Sequence, residues 1–388
     1  MNYLITNGRF LINDQLKTDI SLLLSNGLIT ILEKDELPGQ VHEWDAHNQL
    51  VLPGMIDLHG DAFERQVLPR PGVHFPTDLA LLETDRQMIS NGITTAFHGI
   101  TYSWEPGLRG HDNAFELIEC IEQLRDRLSC DTRIHLRWET YNLDGAPYVE
   151  ELLTDKRIDL LAFNDHIAHI SEEIKKGGPK ISTYSHRTGL STEEFLKLHT
   201  QVVSQANAVP ETITRLAHLA HEKNIACASH DDETIESRAW FDELNVKISE
   251  FPVNDEVAEF SRSLNNPVIL GAPNVVRNGS HCDRMNATTA VANNLCDVLT
   301  SDYYYPSMLL AVFLLMERNN MTLADVWPLV SANAARAAGL NDRGTINNGQ
   351  RADIVIVDDR DSNLPEVTSS FIGGELVYAS QHPVNIAV

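Results

Sequence analysis

The 388-residue sequence predicts an α/β protein, a (β/α)8 TIM barrel with a small β-sandwich domain built from both chain termini. Two observations support this prediction. Eight strand-like apolar runs alternate with helical patterns through the middle of the chain, and short strand patterns occupy both of its ends. An open doubly wound sheet is the alternative, but no phosphate-binding glycine-rich turn follows the first apolar run.

The chain ends are predicted to form strands separated by turns. Asn7-Gly8 is expected to join two strands as a hairpin, and Ser25-Asn26-Gly27 is expected to join two more. Near the other end, residues 353–357 and 374–378 are apolar runs of strand length. The predicted domain bounds are 1–50 plus 351–388 for the β domain and 51–350 for the barrel.

The eight apolar runs in the middle of the chain are the predicted barrel strands. They are residues 50–58, 93–99, 133–138, 160–164, 225–229, 246–251, 268–271 and 298–301. After the first run, Thr77 is predicted to cap a helix that Asn91-Gly92 ends. Ser191 is predicted to cap another helix, because Glu194 occupies the capping-box position.

Residue types that bind metal ions occur at the ends of five of these runs. His59 and Asp61 are two residues apart, so in an extended chain both side chains point to one face. Each residue also has an ordinary structural interpretation, such as an ion pair between Glu139 and Arg137. Because functional residues lie at the carboxyl ends of barrel strands, their convergence predicts a divalent metal site. The candidate residues are His59, Asp61, Glu139, His166, His230 and Asp302.

Composition excludes several classes of partner. The formal net charge of -25 argues against binding to nucleic acid or to anionic membranes. No apolar run approaches the roughly 20 residues that span a bilayer, and the first ten residues lack a signal-peptide pattern. The five cysteines show no close metal-type spacing, which predicts a reduced, cytoplasmic location.

Two stretches resemble the signatures of the amidohydrolase superfamily. Val51-Leu52-Pro53-Gly54-Met55-Ile56-Asp57-Leu58-His59 resembles its opening signature. Residues 331–337, followed by Gly344, Gly349 and 351–353, resemble its closing signature. Within the superfamily the chain is most similar to the diphosphatases of bacterial phosphonate breakdown. The stretches that carry this second resemblance are residues 69–73, 133–137, 228–232, 271–277 and 299–304.

The resemblance implies a role for each candidate residue. His59 and Asp61 would bind one of two divalent metal ions, Glu139 would bridge to the second, and His166 and His230 would complete that second site. Asp302 would be the catalytic residue that takes the proton from the attacking water. Asp231 or Asp232 is expected to orient His230. Zinc is the expected metal, with manganese and iron as alternatives that suit the same ligands.

The implied substrate is a ribosyl phosphonate triphosphate, of which one phosphoanhydride would be cleaved to release pyrophosphate. Such a polyanion requires cations in its pocket, and arginine binds phosphate through a bidentate fork. For each candidate arginine, a structural ion pair is the alternative interpretation. The candidate substrate-binding residues are Arg70, His186, Arg187, Arg277 and His281.

Two other functions are compatible with the sequence. Hydrolysis or deamination of a C–N bond in a cyclic amide or nucleobase would use the same metal ligands. A barrel that has lost activity and serves as a scaffold would be expected to lack ligands, and none is missing. The residues after His59 and His166 depart from the family pattern, which leaves the exact substrate open. A homodimer is the default expectation for the assembly.

Overall fold

The computed structural model describes residues 1–33, 36, 38–70, 72–279 and 285–380. It divides into two compact units. The terminal unit comprises Met1–Ala96, Arg125–Thr132 and Ile269–Val388, and the central unit comprises Phe97–Leu124 and Arg133–Val268. Among the described residues, no helix combines the length and apolar character that crossing a membrane requires. The predicted domain bounds remain a prediction.

The strands fall into three sheets. Numbered in chain order, they are β1 (Tyr3–Thr6), β2 (Arg9–Ile12), β3 (Gln15–Lys17), β4 (Ile20–Ser25), β5 (Leu28–Glu33), β6 (His42–Asp45), β7 (Leu50–Pro53), β8 (Met55–Gly60), β9 (Ile93–Tyr102), β10 (Asp131–Glu139), β11 (Leu160–Asn164), β12 (Ala226–His230), β13 (Ile248–Glu250), β14 (Val268–Gly271), β15 (Val298–Thr300), β16 (Ile354–Asp358), β17 (Glu366–Ile372) and β18 (Glu375–Ala379).

The helices complete the element order. They are α1 (Glu64–Val67), α2 (Thr77–Ser90), α3 (His111–Leu124), α4 (Ala146–Thr154), α5 (Ile167–Lys176), α6 (Lys180–Thr188), α7 (Thr192–Val203), α8 (Val209–Glu222), α9 (Ile235–Glu243), α10 (Asp255–Ser263), α11 (Ala272–Arg277), α12 (Ala287–Ala292), α13 (Ser307–Asn319), α14 (Leu323–Val326) and α15 (Ala332–Ala337). Short 3-10 helices lie at Leu143–Gly145, Ala206–Ala208 and Trp327–Val330.

The two ends of the chain form one β domain, as predicted. A four-stranded sheet has the order β5-β4-β1-β6, and a six-stranded sheet has the order β18-β17-β16-β7-β2-β3. Strand β7 joins the two ends, because Val51 lies opposite Ile356 of β16 on one side and Phe10 of β2 on the other. The core of the domain accordingly mixes residues from both ends, such as Ile5 and Phe371.

One of the two predicted hairpins is present. Strands β4 and β5 pair antiparallel around Asn26 and Gly27, which have φ angles of 51° and 78°. A two-residue turn with both central φ angles positive matches the twist of the paired strands. The Asn7-Gly8 hairpin prediction is wrong, because β1 pairs with β4 and β6 whereas β2 pairs with β3 and β7. Asn7 turns the chain from one sheet into the other.

The remaining strands form the predicted barrel. Eight parallel strands have the order β15-β14-β13-β12-β11-β10-β9-β8, with helices between successive strands. At the two ends of that order, the Asp302 N–H donates to His59 O at 2.9 Å and the Asp61 N–H donates to Asp302 O at 3.0 Å. The fold is therefore a (β/α)8 barrel rather than an open doubly wound sheet.

The predicted helix caps have different outcomes. Ser191 and Glu194 form the predicted capping box at the start of α7. The α2 prediction is correct at its end, where Asn91 is the C-cap and Gly92 has a φ of 80°. It is wrong at its start, because Pro76 occupies the N-cap position and Thr77 is the first helical residue. Proline holds its φ near the helical value but cannot supply a capping side chain.

Candidate metal centre

In the terminal unit, three predicted ligands lie together. His59 is the penultimate residue of β8, Asp61 follows that strand, and Asp302 follows β15. One ligand atom from each lies within 4.8 Å of those of the other two. Because a divalent ion takes nitrogen and oxygen ligands at about 2.0–2.2 Å, such atoms are close enough to share one cation. We refer to these three residues as the His59 group.

A buried carboxylate organises the backbone around this group. Asp57 is fully buried and accepts hydrogen bonds from the Ser301 N–H at 2.9 Å, from the Ser301 hydroxyl and from the Thr300 hydroxyl. The Thr300 Oγ1 in turn accepts the His59 N–H at 2.7 Å. Asp57 therefore links the ends of β8 and β15, the two strands that supply His59 and Asp302.

In the central unit, the other predicted ligands also lie together. Glu139 ends β10, His166 follows β11 and His230 ends β12. The Glu139 Oε1 lies 2.6 Å from His166 Nδ1, and the rings of His166 and His230 have centroids 6.1 Å apart. Ligand atoms of His166, His230 and Asp231 lie within 4.8 Å of one another. We refer to Glu139, His166, His230 and Asp231 as the His166 group.

The environment sets the protonation of the His166 group. Burial raises the pKa of the Glu139 carboxyl, but the charge and hydrogen bonds of His166 outweigh burial and hold that pKa below its ordinary value. The Glu139 carboxylate in turn raises the pKa of His166. Burial lowers the pKa of His230, which favours its neutral form. A neutral imidazole is the form that donates a lone pair to a metal ion.

The two aspartates that were expected to orient His230 have different surroundings. Asp231 Oδ1 lies 3.4 Å from His230 Nδ1, so it is placed to contact the imidazole. Asp232 instead accepts hydrogen bonds from Ser229 and from the fully buried Arg238. Burial raises the pKa of Asp232, and Arg238 opposes that shift. Asp231 is therefore the aspartate that contacts His230, and Asp232 belongs to a structural ion pair.

Sequence reasoning missed one polar cluster beside His230. The His230 Nε2 lies 3.3 Å from Arg137 Nη2 and 3.8 Å from Glu250 Oε2, and His135 Nε2 lies 3.9 Å from the same carboxylate oxygen. Glu250 is the last residue of β13. The predicted strand continued to Phe251, so Glu250 was placed in the strand interior rather than at its functional end.

The predicted substrate-binding residues lie in different parts of the fold. Arg70 and Arg277 are exposed in the terminal unit, and Arg277 Nη1 donates to the Tyr303 hydroxyl at 3.3 Å. His186 and Arg187 lie in the last turn of α6 in the central unit. His281 lies outside the described residues.

Comparison with known proteins identifies the family. The family model described as "Amidohydrolase family" matches residues 50–377. The chain belongs to the amidohydrolase family. Members of this family use divalent metals, and the His59 and His166 groups are candidate clusters of histidine and carboxylate ligands for them. It is a metal-dependent hydrolase.

Relatives are found by sequence and by structure. This amidohydrolase is 32% identical over 374 residues to the alpha-D-ribose 1-methylphosphonate 5-triphosphate diphosphatase of Escherichia coli (strain K12), covering 93% of this chain and 96% of the relative. The N-isopropylammelide isopropylaminohydrolase of Burkholderia multivorans shares 16% identity with a TM-score of 0.67, covering 98% of both chains. The N-acetylglucosamine-6-phosphate deacetylase of Pasteurella multocida shares 11% identity with a TM-score of 0.64, covering 98% and 100%. The two structural similarities support the fold alone.

Proposed function

We propose that this amidohydrolase cleaves a phosphoanhydride bond of a ribosyl phosphonate triphosphate and releases pyrophosphate. The observation that supports this proposal most directly is the 32% identity to the diphosphatase of Escherichia coli, which extends over nearly the whole of both chains. Histidine and carboxylate side chains, the donor types that such an enzyme would need, lie at strand ends of the barrel. A fold alone would not support the assignment, because one barrel serves many reactions.

In this proposal the two groups hold two divalent cations. His59 and Asp61 hold one of them, and Glu139, His166 and His230 hold the other, with zinc as the cation proposed. The close spacing of the ligand atoms of His59 and Asp61, and of His166 and His230, is compatible with these roles. Glu139 Oε1 lies 2.6 Å from His166 Nδ1. When bound, such cations act as Lewis acids, lowering the pKa of a coordinated water and neutralising charge on phosphoryl oxygens.

Asp302 is the proposed general base. Its carboxylate takes a proton from the attacking water, whose oxygen forms a new bond to phosphorus. The bridging P–O bond on the other side of that phosphorus breaks, and its electron pair leaves with the pyrophosphate. Arg70 and Arg277 are proposed to bind phosphate oxygens, because arginine offers two parallel N–H donors. His186 and Arg187 are proposed to contribute from α6.

A substrate panel tests the proposal against the C–N alternative. Ribosyl and nucleoside triphosphates form one set, and dihydropyrimidines, hydantoins and purines form the other. With the metal-loaded enzyme we expect pyrophosphate from the first set and neither ammonia nor ring-opened product from the second. Arg70→Gln and Arg277→Gln should each weaken triphosphate binding by about 1.5–3 kcal/mol, the scale of a charged hydrogen bond.

Controls separate a pocket effect from a loss of metal. Each arginine variant should retain the metal content of the wild type, measured by elemental analysis. Arg360→Gln is a matched control, since this arginine is exposed and pairs with Asp358, two residues away in the chain. Turnover of a cyclic amide or nucleobase, undiminished in both arginine variants, would refute the phosphoanhydride proposal and leave the metal-dependent hydrolase assignment intact.

A further inference from the structure

A cavity in the central unit adjoins the His166 group. Its volume is about 240 Å³, and it lies between the segment that follows β9 and helices α5 and α6. Glu139 and His166 form part of its wall. The same cavity is also lined by Thr101, Glu105, Arg109 and Arg187.

Arg187 is held in a defined position at this cavity. Its Nη2 donates to Glu105 Oε1 at 2.6 Å, and its guanidinium lies 5.3 Å from the centroid of the Tyr184 ring. The Glu105 side chain is only 4% exposed, so this ion pair is shielded from water on the carboxylate side. Since arginine has five N–H donors, binding to Glu105 leaves others available for a ligand.

Arg109 reaches the cavity from the segment after β9. The Arg109 carbonyl accepts the Ser103 N–H at 2.7 Å, which closes the segment into a loop. At Gly107, in this loop, an added Cβ would lie 3.0 Å from Arg187 O, so the loop packs closely against the end of α6. Two arginines from separate elements therefore face one small cavity.

A buried hydroxyl also points to a ligand. Thr101 is 5% exposed, and its Oγ1 has no hydrogen-bond partner among the described residues. Leaving a buried polar group without a partner is costly, so such groups in native proteins are generally satisfied by protein, water or ligand. An oxyanion in the cavity would supply an acceptor for this hydroxyl.

We propose that this cavity binds the diphosphate moiety that leaves in the reaction, with Arg109 and Arg187 as its cationic contacts. The inference rests on the proposed function and names a subsite within it. At about 240 Å³ the cavity lies below the roughly 300–1,000 Å³ of pockets that hold whole drug-sized ligands, so it suits a fragment of the substrate. Two arginines match two successive phosphates, whereas a methylphosphonate offers a single charged group.

Binding of pyrophosphate to the metal-loaded enzyme tests the subsite. The dissociation constant is measured by calorimetry for the wild type, Arg109→Gln, Arg187→Gln and Arg187→Lys. We expect pyrophosphate to bind at least about tenfold more weakly to both glutamine variants, the scale of one charged hydrogen bond. Arg187→Lys retains the charge without the fork and should be intermediate. Arg215→Gln is the control, because Arg215 lies on α8 of the same unit, is largely exposed and pairs with Glu150.

Two results would overturn the inference. One is unchanged pyrophosphate affinity in Arg109→Gln, Arg187→Gln and Arg187→Lys, with metal content and unfolding temperature equal to those of the wild type. The other is methylphosphonate binding that weakens in these variants while pyrophosphate binding does not, which would assign the cavity to the phosphonate end. The proposed function fails separately. If wild-type enzyme cleaves no phosphoanhydride but binds pyrophosphate through both arginines, the anion subsite stands and the reaction is wrong.

Discussion

Asp302 lies in a backbone conformation that few residues other than glycine adopt. Its φ is 54°, in the left-handed region that aspartate and asparagine tolerate better than most residues. The conformation is fixed by the backbone hydrogen bonds that join Asp302 to His59 and to Asp61. An aspartate here therefore has its carboxylate placed beside the donor atoms of both other members of the His59 group.

Replacing Asp302 by asparagine tests its role as the base. Asp302→Asn keeps the side-chain shape and one oxygen that can bind a metal ion, but it removes the basic carboxylate. We expect turnover to fall by about a hundredfold or more, the usual contribution of a general base. Metal content should stay close to that of the wild type. Rates are measured under single-turnover conditions, so that the chemical step limits the signal.

The control for this variant is Asp361→Asn, which removes one carboxylate from an exposed turn of the same unit. It should leave turnover unchanged. A wild-type rate in Asp302→Asn would mean that another group accepts the proton.

The grouping of residues at the site follows partly from sequence. Strand-end placement predicted that His59, Asp61 and Asp302 would lie near one another, and within the terminal unit they do. Their role as ligands stays a prediction. Glu250 could not be placed, because its position depends on whether β13 ends at that residue or one residue later. Strand ends determined by tertiary hydrogen bonds are poorly encoded in local sequence.

At the scale of elements, Gly54 separates two strands that the sequence presents as one apolar run. Strand β7 belongs to the terminal six-stranded sheet, and β8 belongs to the barrel. The Gly54 N–H donates to Asp353 O at 2.9 Å, and the next N–H, from Met55, donates to Gly92 O at 3.0 Å. Consecutive residues therefore bond to residues that immediately precede strands of different sheets, β16 and β9. Hydrophobic pattern alone predicts an extended segment but does not indicate where it changes partners.

Gly54→Ala should destabilise the protein. A Cβ at this position would lie 2.2 Å from Thr94 Oγ1, well inside van der Waals contact, and Thr94 is fully buried. We expect the free energy of unfolding to fall by about 1–3 kcal/mol, the usual cost of overpacking a core. Denaturant unfolding measures the change. Thr94→Ala, which removes the two nearest atoms, should recover part of the loss in the double variant.

Gly39→Ala provides the matched control, because no atom of the described residues, its two chain neighbours apart, lies within 4 Å of a Cβ added there. Its free energy of unfolding should equal that of the wild type. Equal stability of Gly54→Ala and Gly39→Ala would show that the change of sheets does not require glycine at position 54.

At the scale of the whole molecule, the net charge of -25 opposes any anionic substrate. Screening reduces this repulsion at physiological salt but does not make the field attractive. Binding of a polyphosphate would therefore depend on local cations, namely arginine side chains and metal ions. At the proposed sites, metal ions would also balance the charges of the carboxylates Asp61, Glu139 and Asp302. This predicts that metal binding stabilises the fold as well as enabling the reaction.

Metal removal tests that prediction through linkage. A cation that binds only the folded chain contributes about 2.7 kcal/mol of stability per site when its free concentration is about one hundred times its dissociation constant. Chelation should therefore lower the unfolding temperature measured by calorimetry, and added metal should restore it. Glu139→Ala should bind less metal by elemental analysis and regain less stability when metal is added, because it lacks a proposed ligand. Glu151→Ala removes an exposed carboxylate from α4 and should behave as the wild type. Full metal content in Glu139→Ala would show that Glu139 is not a metal ligand. An unfolding temperature that chelation does not change would show that metal binding does not stabilise the fold.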